Sequence, residues 1–430
     1  MKMEGEAPIS GWLLIIASVI VAAGLWYWAV AIYAPANTLT AKSAGRPIGS
    51  NSDLYARWYG THELLLHGRN PYSPEVTREI QMGFYGRALD PANEKDPKQK
   101  EGLAYPLYVV FLMAPFAHVP FAMAQRIFRW LLLGVIAASI PLWAHAIGAR
   151  LRSITLIAAM ILAIGSYPAV MEFYQQNLAA IVIFLIAAAV ASVMRGWLLL
   201  AGFLLALATI KPEIAGLMTL WLLFWSMAKV RERGKLALSF GVTLAMLTLS
   251  AELVLPHWVG HFLKSLKEYA GSETDPSILR VIFPAWLAAI ASAALAILIA
   301  FQVWRTRASA AGSQPFGWTS ALIGSSTLVL IPKIAAYNQL LLIPALLMLV
   351  DNWREISRSG RIVRSLTKAT VACQLWQWMA ALALTAASAV VPVALIRRAA
   401  PLPLATLLAF PALTALAVLA VILKQRGKTT

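Results

Sequence analysis

The sequence predicts an all-α, polytopic membrane protein with about 12 transmembrane helices and a long first outer loop. Of its 430 residues, 60% are hydrophobic and only 13% are charged, and the mean hydropathy is +0.70. Its apolar runs approach the roughly 20 residues that a helix needs to cross a bilayer. These runs are continuous stretches of Leu, Ala, Ile, Val and Trp, whereas a transmembrane barrel requires short strands of alternating hydrophobicity. Helices are therefore the predicted spanning elements.

The apolar runs also give the order of the spans. We expect spans near residues 11–33, 121–147, 153–170, 178–194, 197–210, 213–228, 236–255, 281–304, 317–331, 335–350, 369–395 and 402–423. One long polar segment, residues 35–104, separates the first span from the rest. Residues 105–120 are short for a span and are broken by Pro115 and Pro120, so we expect an interfacial helix that does not cross. The chain is predicted to be one membrane domain, residues 1–430, with residues 35–120 as its outer loop.

The net charge of +17 is explained by membrane topology. Basic residues of membrane proteins collect in cytoplasmic turns, and most of the basic turns fall on that side if both termini are cytoplasmic. These turns lie at residues 150–152, 195, 229–235, 305–307, 354–368 and 424–428. Arg397 and Arg398 stay outside as an exception. We therefore predict a multi-pass protein of the plasma (inner) membrane with no nucleic-acid partner. Separately, Cys373 is the single cysteine, which excludes an internal disulfide.

Under this orientation, the polar motifs that interrupt the apolar pattern all reach the outer, periplasmic face. They are Asp53, Tyr105-Pro106, residues 166–177, residues 209–213, His257 with His261, and residues 332–339. Their positions do not enter the charge argument. The convergence is therefore independent support for one site on the outer face.

Asp53 is the first candidate for a chemical role. It follows Ser52 and precedes a run whose apolar residues form one face, so a structural role is a helix cap with an acid at the first turn. However, a carboxylate at a membrane interface beside Tyr55 and Trp58 is suited to accept a proton from a sugar hydroxyl. We predict that Asp53 is a general base.

Two lysines lie at breaks in apolar segments. Lys211 precedes Pro212 and Glu213 within an otherwise apolar run, and Lys333 follows Pro332. Each could simply extend to the membrane surface. Ionisable groups beside a helix break within a membrane are more often functional, and a lysine that faces a cavity is suited to bind phosphate.

Other polar groups have structural explanations of equal merit. Glu172 and the stretch Gln175-Gln176-Asn177 could satisfy the exposed ends of two helices. His257 and His261 have a spacing that permits metal binding, but no acidic third ligand lies on the same turn. We therefore expect no metal site there.

The order of short motifs in the first half of the chain resembles that of a known family. It is similar to the polyprenyl-phosphate-mannose-dependent α-mannosyltransferases of the C-type membrane glycosyltransferase (GT-C) superfamily. The motifs are Asp53-Leu54-Tyr55, residues 65–72 (LLHGRNPY), Tyr105-Pro106-Leu107, Gln176-Asn177 and residues 208–212 (ATIKP). The second half is similar mainly in the pattern of its spans.

The resemblance implies a multi-pass transferase that takes a sugar, most simply mannose, from a polyprenyl-phosphate donor. It assigns Asp53 as the catalytic base and places Lys211 near the donor phosphate. The chain departs from the family at two points. Family members often have Gly at the position of Gln175, and many have a His in the late outer turn, where this chain has Tyr337-Asn338.

Physical chemistry supports the same site independently. A lipid-linked donor presents its phosphate at the interface while its chain stays in the bilayer, so the site needs a cation and a groove between helices. We predict phosphate contacts from Lys211, Lys333 and Arg69. Contacts with the substrates are predicted for Tyr55, Tyr105, Glu172, Gln176, Asn177, Tyr337 and Asn338. Because a phosphate leaving group needs only positive charge, no metal or other cofactor is expected.

The predicted partners are the lipid-linked sugar donor, a lipid-linked or glycan acceptor, and membrane lipids. One base without a second nucleophilic carboxylate implies direct displacement, with inversion at the anomeric carbon.

Two alternatives remain at this stage. Broken helices with charged groups also mark lipid or solute transporters, although the chain has no internal repeat and its polar motifs lie at one face. A transferase of another lipid-linked sugar, such as arabinose, fits equally well.

Overall fold

The computed structural model describes residues 8–426 apart from residues 48, 51, 91, 94, 95, 98–100 and 273–275. All regular structure in this part of the chain is helical, and it contains no strand. The predicted all-α class is therefore confirmed. The last residues of the predicted cytoplasmic tail, 427–430, lie outside the described residues.

The first helix extends further along the chain than the sequence predicts. α1 (Pro8–Tyr27) continues through a wide π-helical turn (Trp28–Tyr33) into α2 (Ala34–Ser43). Pro35 interrupts the hydrogen-bond ladder in the first turn of α2, and the wider turn directly before it absorbs that mismatch. The apolar helix therefore ends at Ser43 rather than near residue 33.

The outer loop contains two well-formed helices and a short third one. α3 (Asp53–His67) and α4 (Pro74–Tyr85) pack against each other, and α5 (Val109–Met113) is followed by a single 3-10 turn at Ala114–Phe116. The predicted interfacial helix at 105–120 is thus two short pieces. Five helical residues are far fewer than the roughly 20 that a span requires.

The remaining helices follow from Phe121 to the end of the described chain. They are α6 (Phe121–Ala146), α7 (Ser153–Ile164), α8 (Tyr167–Gln175), α9 (Ala179–Met194), α10 (Leu198–Ala208), α11 (Pro212–Met227), α12 (Val230–Val254), α13 (Trp258–Ser272), α14 (Ile278–Ile282), α15 (Ala285–Thr306), α16 (Gln314–Leu330), a 3-10 segment (Ala336–Leu342), α17 (Ile343–Asp351), α18 (Trp353–Ser357), α19 (Arg361–Ala387), α20 (Val393–Ala399), a 3-10 turn (Leu402–Leu404) and α21 (Ala409–Arg426).

Among the described residues, five helical segments are long and apolar enough to cross a membrane, or up to six if α7 and α8 form one bent span. The five segments are Gly11–Ser43, Phe121–Ala146, Val230–Val254, Ala285–Thr306 and Val393–Arg426. α9, α10, α11 and the segment Ala336–Asp351 are apolar but shorter. These helices support a membrane protein, and the count of about 12 stays a prediction.

The helices differ in how much of their surface is buried. α9 and α16 are buried on almost all sides and form the centre of the molecule, whereas α12 and α15 expose most of their apolar residues. Exposed apolar helices at the periphery are expected where lipid replaces water as the solvent. Around the buried centre, several helices are interrupted near the same end, and these interruptions bring polar side chains together.

Candidate active site

Four interruptions of the helical pattern meet at one point in the fold. They are the N-terminus of α3, the turn between α8 and α9, the turn between α10 and α11, and the segment after α16. Side-chain hydrogen bonds connect them directly. Helix ends leave main-chain groups without helical partners, so their meeting point naturally gathers polar side chains in an otherwise apolar protein.

Asn177, in the turn between α8 and α9, joins the other three interruptions. Its Nδ2 donates hydrogen bonds to the Asp53 carboxylate and to the Tyr337 hydroxyl, the latter at 3.1 Å. Its Oδ1 accepts a hydrogen bond from the Lys211 ammonium at 2.6 Å. One buried amide thus connects a carboxylate with a cation. Because both ends of the amide are engaged, its orientation is fixed.

The residue before Asn177 fixes the start of α3. Gln176 is fully buried with a left-handed backbone (φ 47°). Its Oε1 accepts hydrogen bonds from Ser52 at 2.6 Å and from Gln125 at 3.0 Å, while its Nε2 donates to the main-chain carbonyls of the same turn. Ser52 directly precedes Asp53. The Gln176 side chain therefore holds Ser52, the residue before Asp53, and is not exposed to a substrate.

This arrangement predicts an indirect effect of Gln176 on activity. Gln176→Ala removes the acceptor of Ser52, so we expect about a tenfold loss of turnover, together with about 1–3 kcal/mol of stability, which is typical when buried groups lose their partners. The matched control is Gln125→Ala, which removes the other donor to the same oxygen without releasing Ser52. Steady-state rates of the two purified variants test the idea. Equal losses would show that Gln176 does not position Asp53.

Lys211 directly precedes α11 and is buried, with only 4% of its surface exposed. Besides Asn177, its ammonium lies 3.4 Å from the Asn338 Oδ1 and 4.8 Å from the centre of the Tyr337 ring. The nearest carboxylate oxygen, from Glu213, is 3.9 Å away and belongs to a side chain that is half exposed. The oxygens closest to the ammonium are thus neutral amide acceptors, and one carboxylate lies at the limit of ion-pair distance.

Glu172 lies in the same buried layer. One of its carboxylate oxygens accepts a hydrogen bond from the Ala180 main-chain N–H at 2.6 Å and so caps the N-terminus of α9. The other oxygen is buried without a hydrogen-bond partner among the described residues. The capping role explains why a carboxylate is tolerated here, because the N-terminus of a helix stabilises negative charge.

Arg57 is a site residue that the sequence reasoning missed. Its side chain is buried, with 6% exposed, and its guanidinium lies 4.1 Å from the centre of the Tyr105 ring. It also donates a hydrogen bond to the main-chain carbonyl of Asp53, whereas its Nε has no partner in the described part of the chain. Burial raises the pKa of the Tyr105 phenol above its usual range, so this ring is neutral at pH 7 and does not neutralise the guanidinium.

A signal for Arg57 was present in the sequence. It stands four residues after Asp53, so the two residues share one face of a helix.

Arg69 lies apart from the Asn177 cluster. Its guanidinium pairs with Glu63 at 2.7 Å and with both oxygens of Glu79 at 2.9 Å. The hydrogen bond from Arg69 holds the pKa of the Glu79 carboxyl below its usual value. Two carboxylates already satisfy this cation, so the geometry does not support the predicted phosphate contact. Arg69 instead ties the end of α3 to α4.

Tyr55 also has a packing role in the structure. Its ring contacts Trp58, Tyr59 and Phe121. A Cβ atom at Gly83 of α4 would lie only 2.0 Å from this ring, so Gly83 permits the close approach of the two helices. Tyr55 thus packs α3 against α4 and against the first residue of α6.

Lys333 contacts α13 rather than Asn177. Its ammonium lies 3.3 Å from the Tyr269 hydroxyl.

Within the described residues, one cluster has metal-ligand geometry, in which atoms of His62, Glu63 and His67 lie within 4.8 Å of one another. Glu63 is engaged by Arg69. His257 and His261, where the sequence led us to expect no metal site, are not part of this cluster.

Together, these contacts form a polar cluster suited to proton transfer beside an anion. A partly exposed carboxylate, Asp53, accepts a hydrogen bond from an amide that a lysine polarises, and Arg57 supplies a second buried cation. A carboxylate in this setting can remove a proton from a hydroxyl. The two cations can stabilise negative charge that develops on a leaving group.

A sequence model of glycosyltransferase family 87 matches residues 103–332, which is just over half of the chain. The matched region includes Asn177 and Lys211, whereas Asp53 lies before it and Tyr337 after it. No curated protein and no solved structure matches the chain.

Proposed function

The chain belongs to glycosyltransferase family 87, a GT-C-type family of membrane glycosyltransferases, and from this premise we propose that it uses a polyprenyl-phosphate sugar as donor. The sugar is most simply mannose, and the acceptor is a hydroxyl of a lipid or glycan at the outer face of the plasma membrane. The observation that supports this proposal best is the link from Asp53 through Asn177 to Lys211.

Asp53 acts as the general base in this proposal. The acceptor hydroxyl is a poor nucleophile at neutral pH, so its proton must leave as its oxygen approaches the anomeric carbon. The Asp53 carboxylate takes this proton. The hydrogen bond from Asn177 orients the carboxylate and leaves its other oxygen free to face the acceptor.

The leaving group determines what the cations do. As the new bond forms, the bond between the anomeric carbon and the phosphate oxygen breaks, and the polyprenyl phosphate departs with the electron pair. In this proposal, Lys211 and Arg57 stabilise the negative charge on that phosphate. Arg57 thereby takes the role that the sequence reasoning gave to Lys333 and Arg69. Because one base serves a direct displacement, a β-linked donor yields an α-linked product.

Family membership argues against the transporter alternative, because family 87 comprises transferases. Mannose rests on the resemblance of the short motifs, and arabinose is the competing sugar. The outer face rests on the distribution of the basic turns. The broken helices beside Lys211 suit a donor whose phosphate lies at the membrane edge while its chain stays in the bilayer.

Donor choice tests the proposal directly. Purified protein in vesicles is supplied with polyprenyl-phosphate mannose, polyprenyl-phosphate arabinose or a nucleotide-linked mannose, together with lipid extract as the acceptor. Each donor carries a label on its sugar, and we expect labelled product only from the lipid-phosphate mannose. Transfer from the nucleotide donor alone would overturn the proposed donor class, while transfer from the arabinose donor alone would replace the sugar and retain the mechanism.

A further inference from the structure

An apolar groove of about 350 Å³ runs along the helix that begins after Lys211. Four residues of α11, beginning with Leu217, line one wall at the spacing i, i+3, i+4 and i+7. Four residues of α15, beginning with Ala296, line the opposite wall at the same spacing. This spacing places each set on one face of its helix. Leu330, the last residue of α16, completes the groove.

The chemistry of the groove defines what it can bind. All of its lining residues are apolar. Trp221 and Ile299 form a buried floor, with 1% and 6% of their surfaces exposed, while Leu220 at the rim is 64% exposed. The groove is thus open along its length, and its lining carries no charged side chain; the Trp221 indole N–H is the one side-chain hydrogen-bond donor among the residues that line it. Such a site suits a hydrocarbon chain and not a sugar or a charged headgroup.

The groove is connected to the candidate active site through the chain itself. Leu217 lies six residues beyond Lys211, which is about 9 Å along a helix at about 1.5 Å per residue. Leu330 precedes Lys333 by three residues. Two of the three walls therefore begin at the turns that carry these lysines, so a ligand whose phosphate rests on Lys211 has the groove directly within reach of its chain.

We propose that the groove holds the polyprenyl chain of the donor, an inference that rests on the proposed function. The chain is attached to the phosphate, so it must enter the bilayer close to the cation that binds this phosphate. The acceptor has no such constraint, because its hydroxyl approaches Asp53. Small side chains at Ala296 and Ala300 leave room for a methyl-branched chain, and the Trp221 ring gives it a broad apolar surface.

A groove-filling substitution tests this assignment. Ala296→Trp places a large ring in the groove. Ala294→Trp introduces the same ring on the same helix, about 200° away around its axis, at an exposed position that does not line the groove. Each variant is assayed with a long polyprenyl-phosphate mannose and with geranyl-phosphate mannose, whose short chain can occupy little of the groove.

We expect Ala296→Trp to raise the apparent KM for the long donor about tenfold, equivalent to ~1.4 kcal/mol of lost apolar contact, and to leave the geranyl donor unchanged. Ala294→Trp should leave both unchanged. If Ala296→Trp affects neither donor, or both equally, the groove holds ordinary membrane lipid and the assignment is overturned. A wild-type protein that uses neither donor would instead overturn the proposed function, and the groove's assignment with it.

Discussion

Asp53→Asn is expected to abolish sugar transfer while donor binding and folding stay nearly intact. The amide has the same shape as the carboxylate, and its oxygen can still accept the hydrogen bond from Asn177. It cannot take up a proton, however, and removal of a general base typically costs on the order of a hundredfold to ten-thousandfold in rate. Turnover with saturating polyprenyl-phosphate mannose measures this loss, and thermal unfolding measures the folding.

The competing explanation for Asp53 is purely structural, because it stands in the first turn of α3. An acid at that position stabilises a helix by only about 0.3–1 kcal/mol. Glu75 provides the matched control, since it occupies the first turn of α4 in the same loop and is exposed. Glu75→Gln should retain near-normal transfer. If the folded Asp53→Asn protein does so too, Asp53 is not the base.

Lys211→Gln is expected to reduce kcat/KM for the lipid donor about a hundredfold to a thousandfold, the size of effect found when one preorganised electrostatic contact is lost. The substitution removes the charge that we propose to meet the phosphate, and it replaces the ammonium that donates to Asn177 with a shorter, neutral amide. Apparent donor affinity and turnover should therefore both fall. Steady-state kinetics with varied donor separates these two effects.

Lys229 is a closely matched control for Lys211. Each lysine directly precedes a helix, with similar backbone angles (φ −131° and ψ 77° at Lys211, φ −139° and ψ 63° at Lys229). Lys229 is exposed, however, and pairs with Glu232 at 3.8 Å. Lys229→Gln should leave transfer unchanged. Equal kinetics for wild type and the Lys211 variant would mean that transfer does not use the charge of Lys211.

The sequence predicted the helical class and the segments that build the site. Long apolar runs determine the class, because only helices and closed barrels satisfy every main-chain group within a bilayer. The polar interruptions at Asp53, Asn177, Lys211 and Tyr337 do meet in space, as the orientation from charged turns implied. The signal was strong because charged and amide groups are rare within apolar helices.

Other features depend on contacts between distant parts of the chain and could not be predicted. Arg69 has the charge of a phosphate ligand, but the packing of α4 on α3 brings Glu79 to it and satisfies that charge. Gln176 looked like a substrate contact, yet its amide is used to hold Ser52. The end of the first helix at Ser43 depends on the π-helical turn before Pro35, which has no clear signal in composition.

The central claim is that a lipid phosphate rests on Lys211 with its sugar beside Asp53. A structure of the wild-type protein with a non-transferable phosphonate analogue of polyprenyl-phosphate mannose tests it most directly. The account predicts a phosphonate oxygen about 2.7–3.2 Å from the Lys211 ammonium, with the anomeric carbon facing the Asp53 carboxylate and the chain leaving along α11. Phosphonate density at Arg69 or elsewhere, with Lys211 still bonded only to Asn177 and Asn338, would contradict it.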